Sequence, residues 1–278
     1  MKRIKNLIRP LWLASAMATA AGAATTSYNS GSLGSAGDGV NTDGVALNAA
    51  SPLAAGGDTG ARYGAGERTQ VAYQAALNPS SSSPFSIEFW ANPSGSDDDD
   101  TAVNNRYATG NRSGWSIFQR AAGWNLKMYN GTGGDVGWDL TGGTSTIGAW
   151  SHVVATWSGS AALLYVNGVL ADSTNDTSKT PGYNANPSTN LPSLNVGANF
   201  NGGSPSASLI DEVAFYASEL SLAQISNHYA LAASPTAGAY ASAVVGDGAV
   251  LYFQNIPEPS SALLAGLGAL GLLRRSRR

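Results

Sequence analysis

The 278-residue sequence predicts an all-β fold, a two-sheet antiparallel jelly-roll sandwich, with an apolar helical segment for targeting at each end. Three observations predict it. Short segments alternate apolar and polar residues with period 2. The pair Asn167-Gly168 sits between two apolar runs, and long loops rich in Gly, Asn, Ser and Pro separate the segments. A parallel βαβ arrangement needs helical crossovers, and no helical period intervenes between these strands.

Phe85, Ile87 and Phe89 alternate with Ser86, Glu88 and Trp90, which gives the first clear strand its two different faces. Trp115–Arg120 and Trp124–Tyr129 follow as two short strands around Ala121-Ala122-Gly123. Trp150–Trp157 is rich in β-branched and aromatic residues and is bounded by Gly148 and Gly159. Leu163–Val166 and Val169–Leu170 flank Asn167-Gly168, a pair that suits a type I′ turn because both central residues need positive φ. Leu194–Ala198 and Ser208–Ala217 complete the set. Ser221 and Gln224 have the spacing of a capping box, predicting a helix of about two turns with Leu222, Ile225 and Tyr229 on one face. Ala232–Ala239 reads as a connection. Ala249–Gln254 reads as a further strand, since Val250, Leu251, Tyr252 and Phe253 are poorly suited to a solvated linker.

The two ends read as targeting segments. Lys2, Arg3, Lys5 and Arg9 precede the apolar stretch Leu11–Ala20, and Ala21-Gly22-Ala23 fits a small-x-small cleavage site, so residues 1–23 have the form of a signal peptide for signal peptidase. At the other end, Pro257-Glu258-Pro259 is followed by the uncharged run Ser260–Leu273 and by Arg274, Arg275, Arg277 and Arg278. As a helix that run spans roughly 21 Å, short of the ~30 Å hydrocarbon core of a bilayer. It is long enough for a transient transmembrane hold, with the arginines kept on the cytoplasmic side.

Setting both ends aside changes the charge. The whole chain carries −3, but residues 24–256 hold seven Lys and Arg against seventeen Asp and Glu, a net of about −10. Such a surface disfavours nucleic acid and anionic lipid and attracts cations. With no cysteine there are no disulfides and no thiol chemistry.

Pro257, Glu258 and Pro259 with the apolar run and terminal arginines resemble the PEP-CTERM sorting signal of Gram-negative bacteria. The resemblance implies recognition and tail removal by a membrane-embedded exosortase, with delivery to the cell surface or the extracellular matrix. Between the ends, the blocks FSIEFWANP, GAWSHVVATW, LLYVNGVL, LNVGANF and LIDEVAFYASELSLAQISNHY occur in the order seen in laminin-G-like, concanavalin A-like domains. The resemblance covers roughly Gly60–Ala230. It implies a two-sheet jelly roll that binds carbohydrate or protein, or serves as a structural module, in some cases with calcium. The expected organisation is a signal peptide (1–23), the laminin-G-like domain (24–235), a connection with an added strand (236–256) and the sorting signal (257–278). The mature N-terminus, TTSYNSGSLGSAGDG, lacks the opening strand usual in the family, and Ala249–Gln254 is expected to occupy its place.

Within the strand Leu209–Tyr216, strict alternation puts Asp211 on one face with Leu209, Val213 and Phe215, and Glu212 on the other with Ile210, Ala214 and Tyr216. Both faces are largely apolar, so at least one carboxylate needs a partner. Arg62 or Arg68 would serve. The resemblance also implies Asp211 as a ligand of structural calcium, a hard ion that takes oxygen donors. Asp97–Asp100 read as a solvated loop. Glu88 stands alone on its strand, and no paired carboxylates of a glycosidase are apparent. His152 and His228 fall in no nucleophile, base or zinc motif. These observations predict a noncatalytic protein. Among six tryptophans after the signal peptide, Trp138 in GGDVGWDLTGG is the candidate for an exposed glycan-stacking platform; Trp90, Trp150 and Trp157 lie in strong strands and are expected to be core or half-core. The predicted role is glycan or protein binding in adhesion at the cell envelope or in an extracellular polysaccharide matrix, with a structural matrix component as the alternative.

Overall fold

The structure, a computed structural model, describes residues 26–55, 58–95, 99–106, 112–131, 137–176 and 193–254, with only the backbone of Gly137 and Trp138. The signal peptide, the PEP motif and the arginine-ended tail fall outside these residues. Sixteen strands and two α-helices occur among them.

In chain order the first strands are β1 (Thr26–Ser27), β2 (Gly39–Thr42), β3 (Ala46–Ala49), β4 (Gly60–Tyr63) and β5 (Arg68–Val71). The long strand β6 (Phe85–Pro93) is followed by β7 (Asp100–Asn104), β8 (Ser113–Arg120), β9 (Gly123–Asn130) and β10 (Gly137–Gly142). Then come β11 (Ser151–Trp157), β12 (Ala162–Val166), β13 (Val169–Thr174), β14 (Leu194–Val196) and β15 (Ser208–Tyr216). Helices α1 (Leu222–Leu231) and α2 (Ala239–Gly246) precede β16 (Ala249–Phe253).

The strands form two antiparallel sheets. One has the order β1-β2-β5-β14-β7-β8-β9-β10. The other has β13-β12-β11-β6-β15-β4-β3, with β16 also paired to β15. Alternation supplies the core between them. Phe85, Ile87 and Phe89 point in from β6 to meet Trp115, Ile117, Trp124, Leu126 and Met128 from the facing sheet. Phe85 stacks on Trp115 at 6.0 Å, and Phe89 meets Trp124 edge-on at 5.7 Å. The second sheet is apolar on its outer face too. Trp90, Val154, Ala214 and Tyr216 pack there under Ile225 of α1 and under Tyr240 and Val244 of α2.

Strand β15 departs from strict alternation. Its pairing with β6 shifts register between Asp211 and Ala214, and Glu212 has φ 55°. The extra residue of this bulge turns Ile210 into the inter-sheet core beside Val213 and Phe215. The bulge also marks a change of neighbour. Residues 208–210 pair with β4, whereas residues 213–216 pair with β16.

Other departures are local. The N-terminal segment supplies β1, β2 and β3, hidden by its Gly, Ser and Asn content. The stretch after the predicted connection is helix α2. In α1, Ser221 and Gln224 form the capping box, Gln224 N–H donating to Ser221 Oγ at 3.3 Å and Ser221 N–H to Gln224 Oε1 at 2.9 Å. The buried face of that helix is Ile225 and His228, while Leu222 is 55% exposed. Asp100 belongs to β7 and is buried, and Asp99 pairs with Arg120, so this end of the acidic run is not a solvated loop.

Candidate functional site

The bulge of β15 brings Asp211 and Glu212 against Asp58 from the loop that leads into β4. Carboxylate oxygens of the three lie within 4.8 Å of one another. Gly60 permits the approach: a Cβ there would stand 2.9 Å from the Ala50 carbonyl oxygen and 3.3 Å from Asp211 Cβ. Ser51 Oγ donates to Asp58 Oδ2 at 2.6 Å, the Glu212 amide donates to Asp211 Oδ1 at 2.9 Å, and Tyr252 O–H donates to Glu212. Asp211 Oδ2 is buried without a hydrogen-bond partner. Arg68 pairs with Asp43 and Arg62 is exposed on β4, so neither neutralises the cluster. Burial pushes the Asp211 and Glu212 carboxyls up. The Asp58 carboxylate adds to the shift at Asp211, and Asp211 and Asp58 add to it at Glu212. An oxygen-only donor set with one orphaned carboxylate oxygen fits a hard divalent cation. The cluster therefore has the donor set of a metal site. It contains Asp211, the residue that the family resemblance implied, and adds Asp58, which no sequence pattern singled out, and Glu212, which strict alternation put on the opposite face.

A second buried cluster lies beneath α1. Glu88 on β6 is fully buried, yet it is not isolated. Tyr216 O–H donates to Glu88 Oε1 at 2.8 Å, His228 Nδ1 lies 3.0 Å from Oε2, and His152 Nε2 lies 3.7 Å from Oε2. The other ring nitrogen of His228, Nε2, lies 3.0 Å from Asp247 Oδ2. Burial alone would raise the Glu88 carboxyl, but the neighbouring imidazoles, His152 close by and His228 in hydrogen-bond contact, outweigh it and lower it to about 2. Burial disfavours the His228 imidazolium, and Glu88, with Asp247, more than offsets that and raises its pKa. The two histidines thus share one carboxylate, a grouping that no sequence motif carries.

Above this cluster is an open pocket of about 410 Å³, lined by Trp90, Trp150, Tyr229, Pro52, Ala54 and alanines at the C-terminal end of α1. Trp90 and Tyr229 stack at 5.8 Å with 15° between their planes, and Trp90 also meets His152 at 4.9 Å with the rings tilted by 30°. Tyr229 is 40% exposed and Trp150 half-buried. The wall is braced from two sides. Asn167 and Gly168 have φ 53° and 76°, as the type I′ turn requires, and Gly168 leaves room for Tyr229, which a Cβ would crowd at 3.2 Å. The Ala54 amide donates to the Ala232 carbonyl at 2.8 Å and fixes the floor loop to the helix end. Among the described residues, no charged side chain lines the pocket. Trp115, Trp124 and Trp157 are core residues. Trp138 lies on β10 opposite Met128, with its side chain outside the described residues.

A family model described as the concanavalin A-like lectin/glucanases superfamily matches residues 64–226. The chain belongs to that superfamily. The PEP-CTERM protein-sorting motif matches residues 255–278, which include Pro257, Glu258, Pro259 and the arginines at 274, 275, 277 and 278. It marks this superfamily member as an exported protein of Gram-negative bacteria whose processing involves an exosortase. Among the described residues, no helix is long and apolar enough to cross a membrane. No curated protein matches the sequence.

Solved structures share the fold at low identity. The binding domain of Paraclostridial Mosquitocidal Protein 1 superposes with a TM-score of 0.50 at 16% identity, over 73% of this chain and 51% of that one. The receptor binding domain of botulinum neurotoxin mosaic serotype C/D gives 0.50 at 17% identity, over 68% and 45%. The chain spans about half the length of the solved chains it matches.

Proposed function

We propose that this superfamily member is a noncatalytic saccharide-binding protein, exported and sorted to the cell surface or the extracellular matrix, and that its binding site is the Trp90–Trp150–Tyr229 pocket. The pocket carries the reading. Its volume falls in the range of small-molecule sites, and its walls are aromatic faces with a neutral lining. A pyranose ring offers apolar C–H faces for stacking and hydroxyls that stay at the open mouth, so the lining favours neutral sugars over acidic ones. Trp90 is buried beneath Tyr229, so the rings open to a ligand are those of Tyr229 and Trp150, with small alanines opposite them. Trp138 on β10 is a candidate for a second contact.

The superfamily also includes glucanases, and the residues here favour binding over hydrolysis. Glycoside hydrolysis needs two carboxyl groups flanking a cleft. Glu88 is buried and engaged by Tyr216 and His228, and Asp211 and Glu212 are buried at the bulge. Asp58, Asp211 and Glu212 would hold calcium, whose charge would neutralise the buried acids and fix the loop before β4 to β15. The expected path begins with removal of residues 1–23 by signal peptidase. A transient hold in the inner membrane by Ser260–Leu273 follows, then cleavage at the PEP motif.

Probing a glycan array with the protein tests this reading. Retention on neutral oligosaccharides, reduced in Trp150→Ala, is expected. An array without any binding would favour a structural matrix component instead.

A further inference from the structure

We propose that helix α2 is a hinged lid, latched by the Glu88–His228–Asp247 relay and released when His228 loses its proton. This is independent of whether the aromatic pocket takes a saccharide. The helix has the form of a lid. It presents Tyr240 and Val244, one turn apart, to the sheet, while Val245 is 47% exposed. Gly238 precedes it at φ 72° and Gly248 follows it at φ 89°. A Cβ at either position would meet nothing within 4 Å, so these glycines answer to backbone conformation and not to packing. Two polar contacts hold the lid. Trp90 Nε1–H donates to Tyr240 OH at 3.1 Å, and Asp247, at the C-cap of α2, meets His228 Nε2 at 3.0 Å.

His228 lies between two carboxylates, one at each ring nitrogen. Only the imidazolium donates at both nitrogens. Loss of its proton leaves a lone pair facing a carboxylate and two negative charges across a neutral ring. The weaker side then yields. Glu88 is fully buried and keeps the Tyr216 hydroxyl, whereas the Asp247 side chain is 28% exposed and can rehydrate. The groups facing His228 are Glu88 from β6, His152 from β11 through Glu88, Tyr216 from β15, Tyr240 and Asp247 from α2 and its cap, with Tyr252 of β16 beside the tyrosines. Burial pushes Tyr216, Tyr240 and Tyr252 well above the usual phenol range, so they stay neutral while His228 titrates. The raised His228 pKa places the release on the alkaline side of the ordinary imidazole value.

Hydrogen exchange of the full-length protein from about pH 6 to about pH 10, corrected for intrinsic rates, tests the latch, with a fluorine label on tryptophan reporting Trp90. The expected result is exchange in Ala239–Gly246 that rises on the order of tenfold or more while β6 and β15 stay protected. Asp247→Asn, at the partly exposed end, should fold and lower the midpoint by removing one carboxylate from His228. Flat exchange in α2, simultaneous opening of β6 and β15, or an unchanged midpoint in Asp247→Asn would each overturn it.

Discussion

Tyr252 on β16 and Glu212 at the bulge of β15 are joined by a buried hydroxyl-to-carboxylate hydrogen bond, so the last strand is tied to the acidic cluster by a side chain as well as by its backbone. Only Asn255 and Ile256 separate the last described residue, Gln254, from Pro257, so the sorting motif begins close to this tie.

With a cation proposed at this cluster, stability is expected to depend on it. Calcium at a hundredfold excess over its dissociation constant is expected to stabilise the fold by about 3 kcal/mol, a rise in Tm of roughly 5–10 °C, reversed by chelation. Asp211→Asn should abolish the rise. The carboxyls of Asp211 and Glu212 are pushed up in the fold, so without a cation their contribution is present at low pH and lost as pH rises through the raised values. The gain on adding calcium should accordingly be larger at pH 8 than at pH 5. Thermal scans with and without chelator at both pH values check this.

Removing β16 should be severe. Leu251, Tyr252 and Phe253 are buried to within 2% of complete. Each side chain contributes roughly 1.5–3 kcal/mol by leaving water. A stop after Gly248 should unfold the domain or lower its Tm sharply, read by circular dichroism.

The Glu88 cluster sets the acid limit. Glu88 is lowered to about 2, so it stabilises the fold above the ordinary glutamate value and that contribution is lost as pH falls toward 2. His228 is raised, so its contribution is complete below the ordinary histidine value and lost as pH climbs through the raised one. Denaturant melts should therefore show a plateau between these limits. Glu88→Gln leaves a buried imidazolium facing an amide and should cost about 3–5 kcal/mol at neutral pH.

Asn167 is expected to matter beyond its turn. Its amide donates to the His152 carbonyl at 2.8 Å and its Oδ1 accepts from the His152 amide at 2.9 Å, so it pins the β12–β13 turn to β11. Asn167→Ala loses one of these bonds and strains a positive φ, at a cost of about 1–2 kcal/mol. Asn167→Gly should recover the backbone part alone, as chemical denaturation can resolve.

The strands were legible where alternation was strong: Phe85–Trp90, Trp115–Arg120 and Trp150–Trp157 coincide with β6, β8 and β11 but for their end residues. Local chemistry also spoke plainly in Asn167-Gly168 and Ser221–Gln224. The rest depended on distance along the chain. Glu88 and His228 are 140 residues apart, and no local pattern couples them. Asp58 joins Asp211 only because β15 bulges, which breaks the alternation used to assign its faces. Helix α2 is short and made largely of Ala, Val and Gly, although Tyr240 and Val244 four residues apart carry a faint helical period.

The most direct measurement of the proposed saccharide site is calorimetric titration of the neutral oligosaccharide best retained on the array into the wild-type protein, Trp150→Ala and Trp138→Ala. Binding by the wild type, weakened on the order of tenfold or more in Trp150→Ala at unchanged Tm, is the expected result. Wild-type affinity in Trp150→Ala, with the loss confined to Trp138→Ala, would contradict the pocket while leaving saccharide binding intact. No heat from any neutral oligosaccharide would contradict both.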